Sequence, residues 1–382
     1  MQGKAVSGVR RGNDVRGCHE RDIVSDICPE PKKAFATPRG GGDATSPLAG
    51  QKVLLIGIGF YDYEAAIANE FRHLGAQVHV EDERPPALRN KLAPLRRKVL
   101  PMSAGEQSRY LSQLLERSSQ RGPFDYILII KGELLDAAFI GALRAAQPNA
   151  RIISYQWDSM ERYPELVERQ ALFDRVLTFD HADNARYPNF VLRPTFFRPE
   201  IVDATQAATA VPPVDFCFVG WLHHDRLQQV EILRRQIREL GLSSFFYLFT
   251  GLRTALELKL AGRGEDVFWR PLPFSRYAEQ IAACRIIIDL PHPQQTGLTM
   301  RALEAVGTGK KMVTTSRDVA LYDFYSPEQF SIIDAQNPRI DPTFLAASLP
   351  ALPPELVDGY SLRSWALDIL GITAPRPFLR KR

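Results

Sequence analysis

The chain is poor in the residues that staple or anchor a fold: its 382 residues hold four cysteines, five methionines and four tryptophans. The cysteines stand at 18, 28, 217 and 284 with no CxxC pair, which argues against a disulfide framework and against a zinc site. Cys217 and Cys284 fall in or beside apolar runs, where a free thiol behaves as a small hydrophobe. A reducing, cytoplasmic compartment is the expectation. No apolar run approaches the roughly 18 residues of a spanning helix, and residues 1–48 lack the apolar middle of a signal peptide. A surplus of one charge is missing too. Lys and Arg number 48 against 44 Asp and Glu, a formal net charge of +4, which is no nucleic-acid footprint. So mild an excess suits an anionic substrate or an anionic membrane surface. The basic tail Arg376–Arg382 is the natural candidate for peripheral contact with the inner membrane face.

What is present is globular. Hydrophobic residues make up 45% of the chain, enough for more than one core, and the length suits two domains. Residues 1–48 are rich in Gly, Arg, Asp, Pro and Ser without apolar periodicity and read as a disordered extension. From Lys52 onward short apolar runs alternate with helical patterns. Val53–Gly57, Gln77–Val80, Asp125–Ile130, Arg151–Tyr155 and Arg175–Phe179 read as strands, with helices over 63–74 and 134–146. Prolines and a run of small residues then mark 201–213 as a linker. Strands return at Asp215–Gly220, Phe245–Phe249, Arg285–Leu290 and Lys311–Thr315, with helices over 226–240, 275–283 and 298–307. The expected fold is α/β: two Rossmann-like lobes, 49–200 and 214–382, facing a cleft.

Candidate chemistry lies where strands end. Gly57-Ile58-Gly59 follows a strand, but a dinucleotide fingerprint needs a small residue where Asp62 stands, so no nicotinamide cofactor is expected. The segment Gln295–Glu304 leads from a Pro-rich loop through a small-residue turn, Thr296-Gly297-Leu298-Thr299, into a helix. Unpaired N–H groups and the positive dipole end there form a ready diphosphate site. Arg301 in the first turns is unfavourable to that dipole unless an anion is near. Glu304, three residues on, can share its face and accept two hydrogen bonds from a ribose diol. An ordinary surface Arg–Glu pair is the other reading of the same residues. Asp158 and Asp180 each follow an apolar strand and can act as a general base or cap the next helix, and His181 can act as an acid–base group near neutral pH.

The stretch Gly297-Leu298-Thr299-Met300-Arg301-Ala302-Leu303-Glu304-Ala305, followed by Gly309–Thr315, resembles the donor-binding segment of GT-B-fold glycosyltransferases, above all those of bacterial capsule and lipopolysaccharide synthesis. Tyr155–Ser159, Thr178–Asp180, Leu192–Phe197 and Phe218–Gly220 extend the likeness, in matching order, over roughly residues 52–325. The resemblance implies transfer of a sugar from a nucleoside-diphosphate donor to a glycan or lipid-linked acceptor. It implies that Glu304 holds the donor ribose, that Gly220 lets the backbone approach the diphosphate, and that Arg226 contacts phosphate. Similar enzymes that retain anomeric configuration usually carry a second glutamate eight positions before the first, where this chain has Thr296. No Asp-x-Asp follows a strand, so neither metal nor cofactor is expected beyond the nucleotide sugar itself. A nucleotide-sugar epimerase on the same fold and a non-catalytic sugar-nucleotide-binding protein are the alternatives.

Overall fold

A computed structural model describes residues 46–59, 62–86, 103–161, 163–208, 214–223, 225–293 and 295–380. Among these residues, twelve strands form two six-stranded sheets, one per lobe. The first contains β1 (Lys52–Gly57), β2 (Gln77–Asp82), β3 (Tyr126–Ile130), β4 (Arg151–Gln156), β5 (Arg175–Thr178) and β6 (Phe190–Leu192). The second contains β7 (Val214–Trp221), β8 (Ser244–Phe249), β9 (Val267–Phe268), β10 (Cys284–Asp289), β11 (Lys311–Thr314) and β12 (Phe330–Ile332). Their orders are β2-β1-β3-β4-β5-β6 and β12-β11-β10-β7-β8-β9, and every pairing is parallel. The apolar runs explain why. Tyr-Ile-Leu-Ile-Ile of β3 is buried throughout, which only a strand covered by helices on both faces requires. Each order reverses once, between β1 and β3 and between β7 and β10, so crevices open at the carboxyl ends of these strands.

The lobes do not divide at the expected boundaries. Ser46–Leu48, read as part of a disordered extension, belongs to the first lobe: Leu48 is fully buried, and its N–H donates to the Leu74 carbonyl at 2.9 Å. The rest of that extension, with Cys18 and Cys28, lies outside the described residues. The expected linker begins as a helix, Pro199–Ala207, with proline in its first turn and Ile201 buried in the second lobe's core. The chain also returns. Helix Leu362–Leu370 sets Leu362, Trp365, Ala366, Ile369 and Leu370 into the first lobe's core with β1, β3 and β4, so 214–382 is not one lobe. Arg193, itself buried, secures that return by pairing with Asp368 at 2.9 Å and donating to the Gly359 carbonyl at 3.1 Å. Cys217 and Cys284 are buried free thiols.

The lobes meet closely along one seam. Gly297 of the second lobe lies against Phe179 of the first, where a Cβ would stand 2.5 Å from the ring. Gly297→Ala is therefore expected to overpack the seam and destabilise the protein by about 1–3 kcal/mol. Urea unfolding measures this, and an unchanged midpoint contradicts it.

Candidate functional site

Helix Met300–Thr308 begins at Thr299, whose hydroxyl accepts from the Ala302 N–H, and stops at Gly309, where φ is +62°. β10 delivers Asp289 to the same place. Asp289 is buried and accepts from Thr299 Oγ1 at 3.0 Å, Arg301 Nε at 2.9 Å and Thr314 Oγ1 at 3.2 Å. Arg301 also donates to the Val219 carbonyl at 3.0 Å. The objection to a cation in a first helical turn is thus answered by a buried carboxylate twelve positions earlier, a pairing that local periodicity does not reveal. Glu304 is buried one turn further on and accepts a hydrogen bond from the Tyr277 hydroxyl. Burial pushes its carboxyl up to about 7, against the opposing pull of the Tyr277 hydroxyl and Arg301.

A cleft of about 850 Å³ lies in front of this helix. The first lobe contributes Gly59, Asp62 and Tyr63 to its wall, and the second contributes Gly220, Trp221, Phe249, Phe274, Tyr277, Met300 and Arg301 among others. Aromatic faces around one guanidinium and a helix start are the chemistry that takes an anionic ligand with a planar base. Asp62 is exposed in this wall and holds a left-handed backbone, φ +62°, as the residue before helix Tyr63–His73. Aspartate, like asparagine, is among the non-glycine residues that adopt this region most readily.

The other predicted residues fall in three places. Gly220 and Arg301 line the cleft. Glu304 stands behind the wall formed by Tyr277 and Arg301, within the helix that Leu298 helps to bury. Arg226 does not reach the cleft: its guanidinium donates to the Trp221 and Leu290 carbonyls and braces two strand ends. Burial, then the neighbouring Arg301, lowers it to about 10. The proposed catalytic residues are also absent from the cleft wall. Asp180 is buried. Its Oδ1 accepts from Ala182 N at 2.8 Å, Asp183 N at 3.3 Å and the Thr296 hydroxyl, and its Oδ2 accepts from Gly297 N at 3.1 Å. A carboxylate so occupied caps a helix and ties the lobes together, and has little capacity left to act as a base. His181 Nε2 lies 3.0 Å from Asp318 Oδ1 of the second lobe, in the same seam. Asp158 pairs with Lys131 at 2.7 Å, and Lys131 and Glu133 line a separate first-lobe cavity of about 360 Å³. Asp62, marked in the sequence only as the misfit in the glycine fingerprint, lines the cleft.

No family model and no curated protein matches the sequence. Solved structures do. The OtsA apo structure aligns over 85% of this chain and 100% of its own, with 13% identity and a TM-score of 0.53. Sucrose-phosphate synthase from Thermosynechococcus elongatus covers 84% of this chain and 94% of its own, at 14% identity and a TM-score of 0.47. UDP-GlcNAc 2-epimerase from Neisseria meningitidis bound to UDP-GlcNAc covers 84% and 98%, at 13% and 0.46. The chain has a GT-B-type fold. Likeness at this level of identity speaks to the fold alone.

Glu304 generates a pH prediction. Its carboxyl sits higher in the folded chain than the ordinary 4.5, so the folded state holds the extra proton and loses stability as pH rises from 4.5 to about 7. Glu304→Gln keeps an acceptor for Tyr277 and removes that cost. The variant should gain on wild type across this window, by up to about 3 kcal/mol above pH 7. Thermal unfolding between pH 5 and 8 measures the difference, and a gap independent of pH contradicts it.

Proposed function

We propose that the protein is a glycosyltransferase that moves a sugar from a nucleoside-diphosphate donor to a glycan or lipid-linked acceptor in surface polysaccharide synthesis. The observation that carries this reading is the asymmetry of the cleft. The second-lobe residues of its wall supply Arg301, aromatic faces and a helix start, but no carboxylate. The first lobe supplies Asp62 opposite them. The diphosphate lies against the start of helix Met300–Thr308 and Arg301, with the base among the aromatic side chains, while Glu304 supports that wall from behind through Tyr277. Asp62 takes the proton of the acceptor hydroxyl as its oxygen bonds to the anomeric carbon and the bond from that carbon to the diphosphate breaks. An epimerase needs acid–base groups beside the donor sugar, and a single carboxylate on the opposite lobe favours transfer over that reaction.

The test uses purified protein and a panel of nucleoside-diphosphate sugars, scoring release of the nucleoside diphosphate with and without glycan acceptors. Asp62→Asn keeps the left-handed backbone that asparagine tolerates. It is expected to lower kcat by about 100-fold or more while leaving nucleotide affinity within about twofold. Unchanged turnover in Asp62→Asn removes Asp62 from the reaction. Interconversion of donor sugars without acceptor replaces transfer by epimerisation, and nucleotide binding without turnover leaves a binding protein.

A further inference from the structure

Helix Leu252–Leu260 follows β8 and is held to the second lobe by little: Ala255 is its buried residue, with Leu258 half-buried. Its other leucines face water. Leu252 is 62% exposed, Leu256 56% and Leu260 82%. At four-residue spacing these three form one stripe along the helix. Single exposed leucines are common on soluble proteins, but an aligned row marks a contact surface. Aromatic residues carry the apolar surface on from the helix start toward the cleft. The Thr250 N–H donates to the Phe268 carbonyl at 2.9 Å, which brings Trp269, 47% exposed, beside the start of the helix. Phe249 precedes them and packs edge-on against Trp221 of the cleft wall, ring centres 5.0 Å apart.

Charge selects the occupant. Between Leu252 and Arg263 stand three cations, Arg253, Lys259 and Arg263, and one carboxylate, Glu257. Arg270 stacks on Trp269 at 4.0 Å. Arg253 pairs with Glu257 and Arg263 with Glu231, but these are surface ion pairs, readily exchanged for other anions. The nearby carboxylates Glu265 and Asp266 are engaged by Arg234 of helix Arg226–Glu239. A leucine stripe edged by cations, with a tryptophan at one end, is the pattern of a helix lying in the plane of a membrane interface. The basic tail is less suited to that role. Arg376 pairs with Asp323 at 3.2 Å, Phe378 is buried, and Arg380 donates to the Tyr322 carbonyl at 3.1 Å.

We propose that the exposed face of helix Leu252–Leu260, with Trp269, docks the protein on an anionic lipid bilayer surface. No helix among the described residues is long and apolar enough to cross a membrane, so this is contact from one side. The docking stands apart from the reaction proposed above. Where that reaction also holds, the arrangement puts the mouth of the cleft beside the surface in which a lipid-linked acceptor resides.

Co-sedimentation of the full chain with vesicles of phosphatidylglycerol and phosphatidylethanolamine, against vesicles of phosphatidylcholine alone, tests this. Binding is expected on the anionic vesicles and is expected to weaken about tenfold or more in the double variant Leu256→Glu, Leu260→Glu. The variant should keep its circular dichroism, because both side chains face water in the folded chain. The fluorescence of Leu260→Trp should shift to the blue, beyond any shift of wild type, when anionic vesicles are added. Equal sedimentation of wild type and double variant overturns the proposal, as does an unshifted Leu260→Trp. A dimer that ultracentrifugation finds in wild type and not in the double variant also overturns it, and assigns the face to a second copy of the chain.

Discussion

One buried carboxylate sets the relation between the lobes. Asp180 ends the strand β5 region of the first lobe, and its oxygens accept from Ala182 and Asp183 on its own side and from Thr296 and Gly297 across the seam. A buried carboxylate is costly unless donors surround it. Here half of those donors belong to the other lobe, so separating the lobes strips the carboxylate of bonds as well as opening a surface. His181 with Asp318 and Phe179 against Gly297 lie within a few residues of it and close the same seam. The segment that starts helix Met300–Thr308 is thereby fixed from outside its own lobe, and the position of Arg301 in the cleft follows from that.

The second constraint is the returning chain. Trp365 is fully buried among residues of the first lobe, packed edge-on against Tyr155 at 4.9 Å. Arg193, on the stretch leading out of the first lobe, pairs with Asp368 on the stretch leading back in. Two crossings braced against each other restrict twisting of the lobes more than one linker would. A buried ion pair of this kind adds little net stability over an apolar pair, but losing either partner strands a charge. It fixes geometry more than it adds stability.

Much of this fold was legible in the sequence because its central strands are buried on both faces. β1, β3, β7 and β10 show as continuous apolar runs, and the helices after them show a matching stripe. β6, β9 and β12 were invisible for the opposite reason. Each has two or three residues at or near a sheet edge, and so short a strand is defined by its neighbour. The prolines near 199 read as irregular chain, although a proline in the first turn begins a helix as readily as it interrupts one. In the site, the rule that functional groups follow strands located Asp158 and Asp180 but could not say which way their side chains turn. Arg301 and Glu304 were legible as neighbours on a helix. Their partners Asp289 and Tyr277 stand 12 and 27 positions away, beyond what local periodicity can connect.

The residue at 296 joins the seam to the chemistry. Enzymes of the resembled family that retain anomeric configuration usually carry a glutamate there, near the sugar, and this chain carries Thr296. In the structure its hydroxyl donates to the buried Asp180, beside the close contact of Phe179 and Gly297. A glutamate at 296 would set a second carboxylate against the buried Asp180. Two such groups cannot both ionise at close range without large cost, and the newcomer has no hydroxyl hydrogen to donate unless it is protonated. The bond that ties the lobes and a charged glutamate at this position therefore exclude each other. A hydroxyl donor at 296 is what this seam uses, and the carboxylate that does line the cleft, Asp62, comes from the other lobe.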